Sequence, residues 1–286
     1  MLHFSQNSVI DETSPQVPES VYWETTFGCT LRCVYCYMSA ALPKPDELST
    51  EEAMGMIKDM ADLEVKRLVF TGGEPLLSKD IWQLSRIARE MGWETQLITN
   101  VTLIKNLSIA YRVKKHFNYV ITSLDGACPE HNDLHRGKGT FEPIVRGIRF
   151  LNKAGVKTNI NSVISNMNVD HAKDLLDFVD ENFEVRTHRM MHLSRIGQGG
   201  ETQYEMENWN DYKKLHRAML TKMFEKESKT PEVLTPTLQC AQLQPKKNCG
   251  MGSGEIYIDS KGNVYPCKLV TTPEWHSGNI RESSLA

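Results

Sequence analysis

No stretch of this chain is apolar for long enough to cross a bilayer, and its first residues, MLHFSQNSVIDETSPQVPES, lack the apolar core of an export signal. Both absences argue against a membrane protein and point to a cytoplasmic one with a polar lead over residues 1–20. Runs of like charge are missing too. Lys and Arg total 33 against 36 Asp and Glu, a net charge of −3, and no basic stripe or acidic tail forms, so neither nucleic acid nor a membrane is an expected partner. The pattern of a disulfide framework is also absent. The seven cysteines are odd in number and fall at 29, 33, 36, 128, 240, 249 and 267, mostly toward the two ends, as expected of metal-binding thiolates in a reducing compartment.

What is present begins with length. A chain of 286 residues, 40% hydrophobic, is enough for one large domain or one domain with a small appendage. Over 21–226 short β-prone runs alternate with longer helical ones. The strand candidates are Val21–Thr26, Arg67–Thr71, Thr95–Thr99, Tyr119–Leu124, Lys157–Ile164 and Val185–His192, six apolar or β-branched runs typical of buried parallel strands. Ser49 with Glu52 three residues later is a capping box opening a helix to Leu63. Helices also fit Lys79–Met91 before Gly92, Val169–Glu181, and Phe141–Ala154 before the helix-stopping Gly155. Alternating units of this kind predict an α/β fold, a partial (β/α)6 TIM-like barrel; periodicity alone leaves a doubly wound sheet open. Either arrangement puts functional loops after the carboxyl ends of strands.

The character changes over 227–286. Pro231, Pro236 and Pro245 mark a linker; Glu255–Ile258, a turn at Asp259–Asn263, and Val264–Cys267 read as a small β-hairpin bearing cysteines.

Cys29, Cys33 and Cys36 lie in Phe-Gly-Cys-Thr-Leu-Arg-Cys-Val-Tyr-Cys-Tyr, directly after the first strand. Structural zinc normally takes four protein ligands, and no fourth cysteine or histidine is near, so an iron–sulfur cluster with one iron left open fits better. Buried structural thiols are the bland alternative.

Cys-x-x-x-Cys-x-x-Cys with Tyr35 before its last cysteine resembles the signature of the radical S-adenosylmethionine (SAM) superfamily. The resemblance implies a [4Fe–4S] cluster on Cys29, Cys33 and Cys36 whose open iron chelates SAM. Reductive cleavage then yields a 5′-deoxyadenosyl radical that abstracts hydrogen from a substrate. It also implies a reductant such as flavodoxin or ferredoxin. Further matches follow. Gly72-Gly73-Glu74-Pro75 resembles the family's GGEP motif, with bare backbone at the glycines and Glu74 as acceptor for the SAM ammonium; in isolation it would be a simple turn. Asn100 ends the third strand where the family often reads Thr-Asn-Gly, although Val101 departs from the glycine. Ser123-Leu-Asp125-Gly126, followed by His131-Asn-Asp133-Leu-His135-Arg136, is similar to the segment in which the serine meets the ribose and the arginine the SAM carboxylate; a solvated charged loop is the alternative. His131 and His135 read as surface residues, and Leu193–Gly200 as backbone that could face the adenine.

Cys240, Cys249 and Cys267 resemble the opening of a SPASM or twitch extension, with Gly262-Asn-Val-Tyr-Pro-Cys267 as its Gly-x-x-x-x-Cys element. That implies an auxiliary [4Fe–4S] cluster, against a zinc knuckle or unrelated thiols. The family's further paired cysteines are missing after Cys267, and the ending Arg-Glu-Ser-Ser-Leu-Ala reads as an incipient helix of a truncated extension; the alternative is a shortened extension whose cluster lacks its fourth cysteine and could ligate substrate, as the resemblance to twitch enzymes implies. Lys268 stands where sulfatase-maturating relatives place an aspartate base, which argues against formylglycine formation. The resemblance implies an oxidoreductase that matures a peptide or protein, forming a crosslink or similar oxidation. Alternatives are a haem or molybdenum cofactor precursor as substrate, or a non-catalytic electron carrier.

Overall fold

The computed structural model describes residues 17–206, 208–224, 233–234 (backbone only) and 254–285. Cys240, Cys249 and nearly all of the lead and linker lie outside the described residues.

Short β-branched runs become strands because each can bury one face under a helix. In chain order the elements are β1 (Ser20–Glu24), α1 (Thr50–Asp62), β2 (Arg67–Thr71), α2 (Ile81–Glu90), β3 (Glu94–Ile98), α3 (Leu107–His116), β4 (Tyr119–Ser123), α4 (Pro129–Arg136) and α5 (Phe141–Lys153). They continue with β5 (Thr158–Ile164), α6 (Ala172–Asn182), β6 (Thr187–His192), α7 (Trp209–Phe224), β7 (Val233–Leu234), β8 (Glu255–Ile258), β9 (Asn263–Tyr265) and β10 (Gly278–Asn279). Strands β1 to β7 pair in sequence order, each parallel to the next, as right-handed crossovers require. This is the expected partial barrel. The capping box of α1 forms, with Ser49 Oγ accepting from the Glu52 amide and Glu52 from the Ser49 amide. Gly155 takes φ +70° after α5.

Side chains alternate across each strand. Val21, Trp23, Leu68, Phe70, Leu97 and Ile160 join Ile57, Leu84 and Ile148 of the helices in one apolar core. The opposite, interior face carries more polar groups, with Tyr22, Glu24, Arg67, Glu94, Gln96 and Arg189 in the alternate positions beside apolar Val69 and Ile98. At its amino-terminal end Arg67 Nε pairs with Glu94 Oε1 at 2.7 Å.

The hairpin is more than an appendage. β8 pairs parallel to β1, from Ser20↔Glu255 to Trp23↔Ile258, and β9 and β10 follow antiparallel, so the extension continues the barrel sheet across β1. The Tyr257 hydroxyl donates to the buried Glu24 carboxylate. Arg281 grips both carboxylate oxygens of Glu52 at 2.6 and 2.9 Å. Residues 281–285 form a turn and an irregular end instead of the expected helix, with the Leu285 amide donating to Asp59 Oδ2 at 3.2 Å. Among the described residues no helix is long and apolar enough to cross a membrane.

Candidate functional site

The loop after β1 is fastened before it reaches its cysteines. Glu47 accepts from the Phe27 amide at 2.6 Å, the Lys44 amide at 3.0 Å and the Thr26 hydroxyl at 2.9 Å. Gly72 and Gly73 bring the β2 loop against it. A Cβ on Gly72, at φ +139°, would lie 2.5 Å from Thr26 O, and one on Gly73 would lie 2.2 Å from Gly28 O. The bare backbone expected to admit a ligand therefore first admits the cysteine loop itself. Gly197 does the same from the β6 side: a Cβ there would meet the carbonyls of Tyr37 and Cys36 at 2.3 and 2.6 Å, while Gln198 N donates to Cys36 O at 3.0 Å. Leu193–Gly200 thus packs on the end of the cysteine loop.

The three thiols surround a cavity of about 150 Å3 whose wall also includes Tyr35, Gly72, Gly73, Asn100, Ser123 and Arg136. All but one of the SAM-site residues expected from the sequence meet here. The exception is Glu74, which is fully buried below the cavity. Its carboxylate accepts from the Thr99 hydroxyl at 2.7 Å and from the Asn100 and Leu76 amides at 2.9 and 3.1 Å. Burial pushes its pKa up to about 7 against those hydrogen bonds. Glu74 ties the β2 and β3 loops together and does not line the cavity.

Arg136 is the cation of the wall, and it arrives already paired. Its Nε lies 2.7 Å from Asp125 Oδ2, with side chains 6% and 0% exposed. The Tyr35 hydroxyl accepts from Arg136 and donates to the same carboxylate. Asp125 Oδ1 accepts from the Val163 amide at 2.8 Å. Burial opposes charge on Arg136, but Asp125, Tyr35 and Cys33 outweigh it and raise its pKa. Asp125, which sequence reading quoted without giving a role, is the residue that ties Arg136, Tyr35 and Val163 together. Asn132 and Asn168 hold its backbone, Asn132 Oδ1 accepting from Asp125 N and Asn168 Nδ2 donating to Asp125 O. The segment for which a solvated charged loop was the alternative is the helix α4, and His135, read as a surface residue, is fully buried. Its Nε2 lies 2.8 Å from Ser165 Oγ, and its carbonyl accepts from Val34 N in the cysteine loop.

Asn100 completes the wall from β3. Its Nδ2 lies 3.7 Å from Cys29 Sγ and 3.0 Å from Thr30 Oγ1. Val101 adopts φ +58°, so the departure from glycine places a β-branched residue in the left-handed region, a strain of roughly 1–2 kcal/mol. Gly147 of α5 makes room for it, since a Cβ there would lie 2.4 Å from Val101 O.

The donor set fits an iron–sulfur cluster. Among the described residues no three His, Cys, Asp or Glu side chains converge closely enough for a single metal ion, so the thiols stand apart around the cavity. Amides point at two of the sulfurs, Leu31 N to Cys29 and Ala40 N to Cys36, both at 3.4 Å, as suits sulfurs that carry negative charge. Burial raises the Cys29 thiol pKa and pushes that of Cys33 up to about 11, so cluster binding must displace protons. In the extension, Cys267 is half-buried, with the Leu269 amide 3.5 Å from its sulfur.

Fold and cavity define a class: a partial α/β barrel with three thiols and a guanidinium gathered at the carboxyl ends of its strands. The Radical SAM superfamily model matches residues 23–179, and the SPASM model, an iron–sulfur cluster-binding domain, matches residues 249–286. The chain belongs to the radical SAM superfamily, a family of enzymes, and carries a SPASM region. A [4Fe–4S] cluster and SAM come with the first, an auxiliary iron–sulfur cluster with the second. The chain is 29% identical to an AdoMet-dependent heme synthase of Oleidesulfovibrio alaskensis, covering 92% of this chain and 72% of that one. It is 28% identical to the mycofactocin maturase MftC of Mycolicibacterium smegmatis, covering 94% and 69%. The fold matches that of Streptococcus suis SuiB bound to S-adenosylmethionine, with a TM-score of 0.77 at 20% identity over 94% of this chain. The chain spans 65% of SuiB's length, slightly under two thirds.

Proposed function

We propose that this chain holds a [4Fe–4S] cluster on Cys29, Cys33 and Cys36 and uses it with SAM to oxidise a peptide or protein during its maturation. The observation that carries this reading is the single cavity wall in which those thiols meet Arg136, Ser123, Asn100 and the backbone of Gly72 and Gly73. Bound there, cluster and SAM would supply an electron and an organic radical able to take a hydrogen atom from the substrate. The chain's own residues bind and orient. Three thiolates leave one iron free for the amino acid end of SAM. Arg136, held by Asp125 and Tyr35, offers its remaining guanidinium edge to the SAM carboxylate. Ser123, in the cavity wall, would meet the ribose, and the side-chain amide of Asn100, 3.7 Å from Cys29 Sγ, would steady that thiolate. Leu31 and Ala40, both buried, give the same cavity an apolar part of its wall.

Cys267, with Cys240 and Cys249, is assigned to the auxiliary cluster. A flavodoxin or ferredoxin would supply the electron, in the cytoplasm. The maturase among the relatives supports a peptide substrate, and the heme synthase supports a second reading, an iron-porphyrin precursor. With reconstituted clusters, dithionite and SAM, the chain should release 5′-deoxyadenosine, and Cys→Ala at any triad position should abolish it. Product formation from a co-encoded precursor peptide supports the first reading and conversion of an iron-porphyrin the second; a protein that binds clusters without cleaving SAM is an electron carrier.

A further inference from the structure

The barrel interior carries positive charge that nothing described so far engages. Arg67, at its amino-terminal end, is neutralised by Glu94. Arg189, on β6, is different: its Nε is sealed from solvent and has no hydrogen-bond partner among the described residues. The interior row places it well. Ser123 on β4, which lines the SAM cavity, is in register with Asn161 on β5, and Asn161 with Arg189. Two strand spacings separate Arg189 from the cavity wall, roughly 10 Å. Asn159 Oδ1, one interior position earlier on β5, is likewise buried without a partner.

The second cation comes from the extension. Lys268 leaves the β9 strand and swings over β1, its Nζ 4.6 Å from the Tyr22 ring centroid. Tyr22, on the interior face of β1, is within electrostatic range of Arg189, and so is Lys268, which places the two cations in the same part of the barrel interior. Glu255 adds one negative charge nearby. A carboxylate would satisfy the unpartnered Nε of Arg189, whose planar fork suits that group.

Resting on the function proposed above, we propose that Arg189 and Lys268 form the far end of the substrate site and receive a substrate carboxylate. That group is equally the chain terminus or acidic side chain of a peptide and the propionate of a porphyrin. Held at Arg189, it would fix which part of the substrate lies under the SAM cavity, so these are positioning residues. Lys268 gives the extension a share in substrate choice.

The test uses p-bromobenzoate and its neutral isostere p-bromobenzamide, titrated into the full-length reconstituted protein and located in crystals by the bromine signal. The unaltered protein should bind the carboxylate at least tenfold more tightly than the amide, with bromine in the barrel and its carboxylate at Arg189. Arg189→Met and Lys268→Met should each lose about tenfold, while Arg189→Lys retains part of the preference and guards against misfolding of the methionine variant. Equal affinity for acid and amide, a bromine site elsewhere, or binding at crystal concentration only would overturn the proposal. Competition by a peptide with a free carboxyl terminus but not by its amide, or by a porphyrin but not by its methyl ester, identifies the source. Release of 5′-deoxyadenosine by the unaltered protein, measured without the probe, tests the proposed function separately.

Discussion

The cysteine loop and the C-terminal extension meet at β1 and are held in opposite ways. The loop is fixed largely from inside: half-buried Glu47 at its start, half-buried Gly72 and Gly73 against its backbone, and at its end Tyr35 with the Asp125–Arg136 pair, whose side chains are 0% and 6% exposed. The extension is fixed largely from outside, by strand pairing to β1 and by an Arg281–Glu52 pair in which both side chains are 35% exposed. The Tyr257 to Glu24 contact and Ile258, which joins the apolar core, are the buried exceptions. A region whose supports are buried has one geometry and fails when any support goes; a region clipped on at the surface can loosen by degrees.

The sharpest way to break this comparison is at the thiols. Ala at Cys29, Cys33 or Cys36 should lower 5′-deoxyadenosine release at least 100-fold, read by chromatography of quenched reactions, whereas Cys267→Ala should leave SAM cleavage within a fewfold. Next comes Asp125→Asn, which leaves Arg136 buried without its counter-charge. Urea unfolding should show a loss of about 3–5 kcal/mol. Glu74 gives the next effect. Its folded pKa, about 7, lies above the ordinary 4.5, so the folded state binds more protons than the unfolded one between those values. Its contribution is intact below pH 4.5 and is lost as pH rises toward 7, by about 3 kcal/mol in all. Glu74→Gln should flatten that slope in urea titrations at pH 5 and pH 8. The smallest effect belongs to Arg281→Ala, under about 1 kcal/mol of stability, visible mainly as faster proteolysis of the extension. An equal loss at Arg281 and Asp125 would erase the distinction between the two regions.

The barrel was legible in the sequence because each strand is a short apolar run that must be buried under a helix. β1 to β6 lie within two residues of their expected bounds. Helix α4 was not, because its buried residues are Asn132, His135 and Arg136, and a polar inner face defeats any hydrophobic pattern. Asp125 was hidden for the same reason: a carboxylate in Ser-Leu-Asp-Gly reads as a turn until its partners, 90 residues upstream at Tyr35 and 38 downstream at Val163, are in place. The parallel pairing of β8 with β1 carries no local signal, since the strands are joined only through the finished barrel. Glu74 shows a motif whose carboxylate is taken up by Thr99 and the amides of Leu76 and Asn100, partners that its own sequence neighbourhood does not reveal. Val101 shows the reverse, a visible departure from glycine whose cost appears only in its backbone angle.

The central claim is that three thiolates leave one iron open to SAM. Electron paramagnetic resonance of the dithionite-reduced, reconstituted Cys267→Ala protein, recorded with and without SAM, tests it most directly. The account predicts a reduced [4Fe–4S] signal whose g values move on SAM addition. A spectrum indifferent to SAM would contradict it.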